Sequence, residues 1–296
     1  PRVSYIKMQI VQRPARAPAL QGLHPVFARV LAARNVQHAD ELENRLAQLL
    51  PPDQLKGLEA AVTCLLPVVT AQKTLLVVGD FDVDGATSTA LVLCALRALG
   101  ADNVHYLVPN RFEHGYDLSP EIVILAQAYQ PDVILTVDNG IAAVEGVAAA
   151  KAAGIAVVVT DHHLPGAQLP AADAIVNPNQ PGCTLASKAA CGCTVVFYVL
   201  MALRQRLQQL GWQRDVKLAQ WLDLVALATV ADVVPLDCNN RILVEQGLRR
   251  SRSGPVQPGR AALLAGAGRE PTRAGCADLG LVLWPKTHAA GRIGRR

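Results

Sequence analysis

The stretch LLVVGDFDVDG, residues 75–85, decides the fold of this chain. It opens with a short apolar run of the kind that forms a buried strand in a parallel sheet. Two further runs rich in β-branched residues, DVILTV at 132–137 and GIAVVVT at 154–160, lie downstream, and each is followed by a helix-like stretch. This alternation predicts an α/β protein with a doubly wound, mainly parallel sheet, carrying helical N-terminal and C-terminal extensions.

Acidic or histidine motifs stand directly after these three predicted strands, and a fourth follows a helix-like stretch. The four motifs are GDFDVDG (79–85), TVDNG (136–140), TDHH (160–163) and ADVVPL (231–236). In an open α/β sheet, the loops that leave the carboxyl ends of the strands meet at one crevice. The sequence therefore predicts that carboxylates and imidazoles far apart along the chain come together there.

The spacing of Asp80, Asp82 and Asp84 suits a hard cation. An extended loop can point two or three of these carboxylates at one ion, and Gly85 permits a tight departure into a helix. Three close carboxylates repel one another and raise each other's pKa unless a cation lies between them. A calcium EF-hand is rejected, because its twelfth position needs a glutamate and this chain has Leu91. Turn and helix-capping roles remain as the alternative, mainly for Asp84.

The other motifs have ordinary explanations when each is taken alone. Asp138 fits a turn or a helix cap, Asp232 fits a lone helix-end carboxylate, and the pair His162 and His163 fits a surface loop. Histidine is also the commonest metal ligand, and a carboxylate beside it, here Asp161, can set its tautomer. Because the motifs recur at successive strand ends, together they favour a metal site.

The composition permits a large core and limits the setting. The chain has 296 residues, of which 51% are hydrophobic, enough for one large or two moderate domains. No apolar run reaches the roughly 18 residues that span a bilayer, and no signal peptide is recognisable, so we expect a cytoplasmic protein with no membrane partner. Among seven cysteines there is no CxxC pair, and Cys191 and Cys193 are expected to be reduced, partly buried thiols.

Positive charge is concentrated at the C-terminal side. Residues 241–296 carry 11 Lys and Arg against 3 Asp and Glu, whereas residues 1–240 carry 17 against 21. The basic segment is either a solvated, partly flexible end or a contact surface for a phosphate backbone. Both interpretations stay open.

Three segments are predicted along the chain. Residues 1–70 form a helical accessory segment, which includes a helix near 39–50. Residues 71–237 form the catalytic α/β domain. Residues 238–296 begin as a helix and continue as a basic, partly flexible tail.

The motifs, in this order and at this spacing, resemble the DHH phosphoesterase superfamily and, within it, the RecJ-type 5′→3′ exonucleases specific for single-stranded DNA. Besides VDNG and DHH, the stretches that carry the resemblance are GDFDVDGATSTAL (79–91), VPNRFEHGYDLSPE (108–121), NPNQPGC (177–183), FYVL (197–200) and ADVVPL (231–236). The resemblance covers about residues 70 to 250.

The resemblance implies a metal-dependent phosphodiesterase with two Mn²⁺ or Mg²⁺ ions. It assigns Asp82 and Asp138 to one ion, and Asp84, Asp138, His162 and Asp232 to the surroundings of the other, which makes Asp138 the bridge. Carboxylate-rich ligation suits either metal, and the imidazole favours Mn²⁺.

The resemblance also implies which side chains serve the substrate. The predicted catalytic residues are His163, facing the scissile phosphate, Asp161 beside it, and Asp80 in or just behind the metal shell. The predicted nucleic-acid contacts are Arg111, Tyr116, Ser187 and Lys188, with arginine gripping phosphate and tyrosine stacking a base. The expected partner is the 5′ end of single-stranded DNA or a short oligonucleotide, with single-strand-binding proteins or helicases as further partners.

Several positions depart from the family pattern. Asp117 and Thr194 each replace a glycine, and His288 stands where asparagine is usual. Full-length relatives continue through a linker into a DHHA1 domain and an oligonucleotide-binding barrel, so the sequence leads us to expect a truncated enzyme with weakened activity.

Two other functions stay open. A compact DHH domain could act on small substrates, as the manganese pyrophosphatases and nanoRNA phosphatases of the superfamily do. It could instead be a non-catalytic, truncated DNA-binding or scaffold module. The complete set of acidic residues favours an enzyme, whereas the altered segment 189–195 favours the scaffold.

Overall fold

The computed structural model describes residues 11, 14–15, 18, 20–110, 117–253 and 258–287. The chain divides into two compact units, Pro1–Asn44 and Arg45–Arg296. The predicted functional residues all belong to the second unit, so its sheet and helices determine the geometry of the site.

The first unit contains helix α1, Pro25–Ala33, and the 3₁₀ turn Ala39–Leu42. The sequence predicts a single helix over 39–50, and this prediction is wrong. Asn44 adopts a left-handed backbone conformation with φ +50°, which a continuous helix cannot contain. After Asn44, the rest of the predicted helix, residues 45–50, contains one more 3₁₀ turn, Leu46–Gln48, which belongs to the second unit.

A five-stranded parallel sheet lies at the centre of the second unit. Its strands are β1 (Leu75–Gly79), β2 (Val104–Leu107), β3 (Val133–Val137), β4 (Ala156–Thr160) and β5 (Ala174–Val176). They lie in the order β2-β1-β3-β4-β5, and every neighbouring pair is parallel. The predicted α/β class with a parallel sheet is confirmed. The strand order reverses between β1 and β3, and ligands of open α/β sheets bind outside the carboxyl ends of the strands at such a point.

Helices cover both faces of this sheet. The helices of the second unit are α2 (Leu58–Thr70), α3 (Val83–Leu99), α4 (Pro120–Ala126), α5 (Val144–Ala152), α6 (Gly192–Gln209), α7 (Leu222–Ala231), α8 (Cys238–Ser253), α9 (Pro258–Ala265) and α10 (Cys276–Asp278), which leads into the π-helical turn Leu279–Leu283. Of these, α2, α3 and α6 pack against one face of the sheet, and α4 and α5 pack against the other. Every helix in the described ranges is too short or too polar to cross a membrane.

Alternate residues of each strand point to opposite faces of the sheet. Leu75 and Val77 pack with α2, α3 and α6 in one buried cluster. Leu76, Val78 and Ile134 pack with α4 and α5 in another. Strands buried on both faces explain why their sequences read as continuous apolar runs rather than alternating ones.

Helix α2 belongs to the core of the second unit. Its residues Leu58, Leu65 and Val69 are buried in the same cluster as β1 and β3. The sequence predicts that the accessory segment ends at residue 70, whereas the compact unit begins at Arg45. The difference arises because α2 would expose this apolar face if it left the core.

The described part of the basic segment packs onto the rest of the second unit. Leu264, Leu279 and Leu283 are buried in a cluster with Val83 of α3 and Leu248 of α8. A solvated end therefore does not describe residues 258–287. Residues 254–257 and 288–296, including His288, lie outside the described residues.

Candidate metal centre

The carboxyl edge of the sheet gathers the acidic and histidine motifs. Eight predicted site residues lie there: Asp80, Asp82 and Asp84 after β1, Asp138 after β3, Asp161, His162 and His163 after β4, and Asp232 at the end of α7. Segments separated by up to about half the chain thus contribute to one cluster, as expected for loops at the carboxyl ends of parallel strands.

The imidazole of His162 lies among three carboxylates. Its Nε2 atom is 3.2 Å from Asp138 Oδ1, 3.5 Å from Asp232 Oδ2 and 3.8 Å from Asp84 Oδ2. His162 Nε2, Asp138 Oδ1 and Asp232 Oδ2 are buried, and none has a hydrogen-bond partner among the described residues. Burial, and then the charge of His163, lower the pKa of His162 to about 4, so this ring is neutral at pH 7. Buried lone pairs that face one another in this way fit a bound cation.

A second group of ligand atoms lies beside the first and shares Asp138. One oxygen atom from each of Asp80, Asp82 and Asp138 lies within 4.8 Å of the other two. Burial, and then the charge of Asp82, raise the pKa of Asp80 to about 7. Burial and repulsion from nearby acids raise the pKa of Asp138 well above its usual value. Mostly carboxylate ligands with one imidazole fit hard divalent cations such as Mn²⁺ or Mg²⁺.

The start of helix α6 holds Asp84 in place. Gly192 N donates to Asp84 Oδ2 at 2.6 Å, and Cys193 N donates to Asp84 Oδ1 at 2.8 Å. Unpaired N–H groups and the positive end of the helix dipole stabilise a carboxylate at a helix N-terminus. A Cβ atom at Gly192 would lie 2.7 Å from both Cβ and Oδ1 of Asp138. Glycine at this position therefore allows α6 to reach Asp84 and Asp138 together.

The turn after β3 aims Asp138 at the cluster. Asp138 has φ +62°, a left-handed conformation that aspartate and asparagine adopt more often than other non-glycine residues. Its backbone N–H donates to Thr160 O of β4 at 3.0 Å. Asn139 Nδ2 donates to Val78 O at 3.1 Å and to Val137 O at 2.9 Å. These bonds join the ends of β1, β3 and β4, which fixes the relative positions of the ligands.

Asp161 organises the two histidines. Its Oδ1 accepts hydrogen bonds from the backbone of His162 and of His163, and lies 2.7 Å from His163 Nδ1. The hydrogen bond with Asp161 raises the pKa of His163 to about 9, so this half-exposed ring is a cation at pH 7. Burial alone would raise the pKa of Asp161, but the bonds from His163 and the backbone lower it. Two adjacent imidazoles thus carry different charges, one suited to a metal and the other to an anion.

Ser187 and Lys188, predicted to contact phosphate, are engaged within the protein. Ser187 is buried, and its hydroxyl donates to Asp237 Oδ2 at 2.6 Å. Lys188 Nζ donates to two backbone carbonyl oxygens of its own loop, at 2.7 Å and 2.9 Å. Either side chain would have to give up these bonds to contact a phosphate.

The loop that carries the other two predicted contacts is only partly described. Arg111 and Tyr116 lie outside the described residues. Asp117, which follows them, has φ +74°, a conformation that favours glycine. Its carboxylate accepts a hydrogen bond from Leu118 N at 2.9 Å, and burial raises its pKa. Asp117 therefore brings an acid and backbone strain to a position where the resemblance implies glycine. The other departure, Thr194, is buried in the first turn of α6.

The DHH family, N-terminal domain, matches residues 74–229, which include every residue of the cluster except Asp232. The chain belongs to the DHH family. The predicted resemblance to RecJ-type proteins is also confirmed. The DHH chain is 52% identical over 276 residues to the single-stranded-DNA-specific exonuclease RecJ of Salmonella typhimurium, covering 92% of this chain and 48% of that protein. It thus spans about half the length of the curated relatives it matches.

Solved RecJ structures share the fold of this DHH chain. A crystal structure of exonuclease RecJ bound to manganese matches with a TM-score of 0.71 and 35% identity, covering 83% of this chain and 59% of that one. RecJ of Thermus thermophilus in complex with Mn²⁺ matches with a TM-score of 0.73 and 32% identity, covering 90% of this chain and 37% of that one.

Three features of the DHH site are not predicted from the sequence: the close approach of Gly192, the N–H of Cys193 that holds Asp84, and the bridging role of Asn139. The glycine at position 192, directly before a long apolar stretch, is the one local signal for the first. Cys191 and Cys193 are free, fully buried thiols, and no candidate metal group in the described ranges includes them.

The metal-free DHH unit is expected to lose stability as the pH rises from about 4 to about 7. Burial is the main cause that raises the pKa of Asp80 to about 7 and that of Asp232 to about 6. Because these values exceed those of unfolded aspartate, the folded state binds more protons in this window, and stability falls as the protons leave. The lowered pKa of His162 makes stability rise with pH in part of this window. Its effect is smaller than that of the carboxyls, because it is one group against several.

Thermal unfolding with Mn²⁺ or with EDTA, at about pH 5 and about pH 8, measures this effect. We expect Mn²⁺ to stabilise the protein more at the higher pH, where one site at 100 times the dissociation constant adds about 2.7 kcal/mol in all to the free energy of unfolding. Asp215→Asn changes an exposed carboxylate near the opposite end of α6 and should leave both results unchanged. An equal gain from Mn²⁺ at the two pH values would contradict the expectation.

Proposed function

We propose that this chain hydrolyses phosphodiester bonds of single-stranded DNA from the 5′ end, in a reaction that uses two Mn²⁺ or Mg²⁺ ions. One observation carries the proposal: three overlapping groups of metal-ligating atoms lie side by side, and Asp138 belongs to two of them, one with Asp80 and Asp82 and one with the two histidines. Similar proteins are named single-stranded-DNA-specific exonucleases, and similar structures hold manganese or magnesium. Both facts support the proposal.

Two sets of ligands drawn from these groups would hold one ion each. The first consists of Asp80, Asp82 and Asp138, and the second consists of Asp84, His162, Asp232 and again Asp138. When bound, such ions neutralise the phosphate and activate water. The neutral ring of His162 offers a lone pair to an ion.

His163 would serve the substrate. Its ring is half exposed, and the carboxylate of Asp161 orients it through Nδ1. With a pKa of about 9 the ring is a cation, and a cationic donor forms strong hydrogen bonds to phosphate oxygens. Asp161 is therefore a positioning residue that acts through His163.

Four further side chains complete the proposed substrate contacts. Arg111 and Tyr116 would grip phosphate and stack a base, as the family resemblance implies. Ser187 and Lys188 would contribute only after releasing their internal bonds. A cytoplasmic location and single-strand-binding or helicase partners belong to the same proposal.

A nuclease assay with Mn²⁺ tests the function. We expect the chain to release mononucleotides from a 5′-phosphorylated single strand, to leave a duplex of the same sequence intact, and to stop when EDTA is added. His163→Gln, which keeps a hydrogen-bonding side chain but removes the charge, should lower turnover by about a hundredfold, a typical loss for an electrostatic donor in an active site.

The same assay separates the alternatives. Turnover of pyrophosphate or dinucleotides without turnover of longer strands would indicate a small-substrate DHH phosphatase. Metal binding and DNA binding without any product would indicate a scaffold. The matched control is Asp215→Asn, which should retain wild-type turnover because this exposed residue lies outside the cluster.

A further inference from the structure

Val233 combines two unfavourable features. Its backbone has φ +59°, a left-handed conformation that is a clear outlier for a β-branched residue. The residue is 78% exposed. The strain is therefore not offset by packing within the described part of the protein, and glycine or asparagine would fit this position at the end of a helix better.

The position of Val233 links it to the metal centre. It directly follows Asp232, whose Oδ2 lies 3.5 Å from His162 Nε2. Neighbouring Cα atoms are about 3.8 Å apart, so Val233 borders the candidate ligands. The backbone N–H of Val233 also donates a hydrogen bond to Val230 O at 3.4 Å, just after the last residue of helix α7.

A second exposed apolar side chain lies on the histidine segment. Leu164 directly follows His163 and is 80% exposed. Within the described residues of the second unit, Leu164 and Val233 are the two most exposed large hydrophobic side chains. Both stand next to residues of the charged cluster, and the contact between His162 and Asp232 brings their segments together.

We propose that Val233, assisted by Leu164, contacts the nucleobase of the nucleotide whose phosphate is held at the metal centre. The inference rests on the proposed function and adds a contact with the base to the contacts with the phosphate. Ions and the His163 cation suit the phosphate, whereas an exposed aliphatic group suits the apolar face or edge of a base. The strained backbone is then retained because valine offers a contact surface that glycine lacks.

Two variants separate the side chain from the backbone strain. Val233→Gly removes both the apolar group and the strain, whereas Val233→Ala removes most of the apolar group and keeps a Cβ atom, which still disfavours the left-handed conformation. Gln130→Gly is the matched control, since Gln130 has φ +47° and precedes β3 at the opposite end of the sheet. Both glycine variants should raise the midpoint of thermal unfolding by about 2 °C, and the alanine variant should not.

Binding is measured by fluorescence anisotropy with a 3′-labelled, 5′-phosphorylated thymidine oligomer, in Ca²⁺ to slow hydrolysis. A second probe of equal length carries an abasic residue at its 5′ end. We expect Val233→Gly and Val233→Ala each to weaken binding of the first probe by about fivefold, the effect of losing about one apolar contact. Binding of the abasic probe should be unchanged, and Gln130→Gly should behave like the wild type with both probes.

Different results would overturn this inference and the proposed function. Equal losses on the two probes, no loss on either, or no binding of the base-containing probe by the wild type would each overturn the inference. A stability gain in Val233→Gly without a change in binding would point to a protein contact instead and would also overturn it. If the base-dependent loss is seen but Mn²⁺ supports no turnover, the proposed function fails and the inference stands.

Discussion

Asp138→Asn is expected to lower hydrolysis of single-stranded DNA by at least about a thousandfold. Asp138 joins Asp80 and Asp82 in one ligand group and lies 3.2 Å from His162 in the other, so its loss weakens both metal positions. Metal ions contribute several kcal/mol to such reactions, and each 1.4 kcal/mol is about a factor of ten in rate. Asparagine keeps the shape of the side chain and tolerates φ +62°, so the fold is retained.

The same substitution should stabilise the metal-free protein at about pH 8. The pKa of Asp138 is raised by burial and by neighbouring acids. At about pH 8 the carboxyl must ionise in the folded protein, which lowers the free energy of unfolding, and asparagine removes this cost. Calorimetric titration with Mn²⁺, thermal unfolding in EDTA and the nuclease assay together measure the three effects.

The control for Asp138→Asn lies at the other end of the same strand. Asp132 accepts a hydrogen bond from Thr74 N at 2.8 Å, and asparagine can still accept it. Asp132→Asn should therefore retain metal affinity and turnover. A turnover of Asp138→Asn within tenfold of the wild type would exclude Asp138 as the bridge between two ions.

Gly192→Ala is expected to damage the site although it changes no predicted ligand. The new Cβ would lie 2.7 Å from Cβ and 2.9 Å from Cα of Asp138, and these buried atoms cannot move away easily. The start of α6 must shift, and with it the two N–H groups that hold Asp84. We expect a loss of about 1–3 kcal/mol in the free energy of unfolding and of about 10–100-fold in Mn²⁺ affinity.

Gly259→Ala provides the matched control for this change. Gly259 lies in α9, and a Cβ there would meet no atom within 4 Å. Alanine in an open helical position stabilises by about 0.5–1 kcal/mol. The two substitutions should therefore change the free energy of unfolding in opposite directions. Denaturant unfolding and Mn²⁺ titration of both variants test this. If Gly192→Ala had the stability and the Mn²⁺ affinity of the wild type, the conclusion that the start of α6 positions the metal ligands would be wrong.

Prediction from the sequence succeeded where the signal is local. The β-branched runs before Asp80, Asp138 and Asp161 mark buried strands, because a strand covered on both faces requires apolar residues throughout. The helix over 39–50 failed, because the pattern of apolar residues does not reveal that Asn44 takes a left-handed conformation. The contacts expected for Ser187 and Lys188 rested on family resemblance, and their internal partners could not be read from the sequence.

The sequence by itself determined the α/β class, the parallel sheet, and the carboxylates and imidazoles available at its edge, because periodicity and residue chemistry are local properties. Only the tertiary structure decided how these groups differ. His162 is neutral because burial lowers its pKa. His163 is a cation because its hydrogen bond with Asp161 raises its pKa. Asp84 is held by Gly192, 108 positions away. Such effects depend on distances and burial between remote segments, and these arise only when the chain packs.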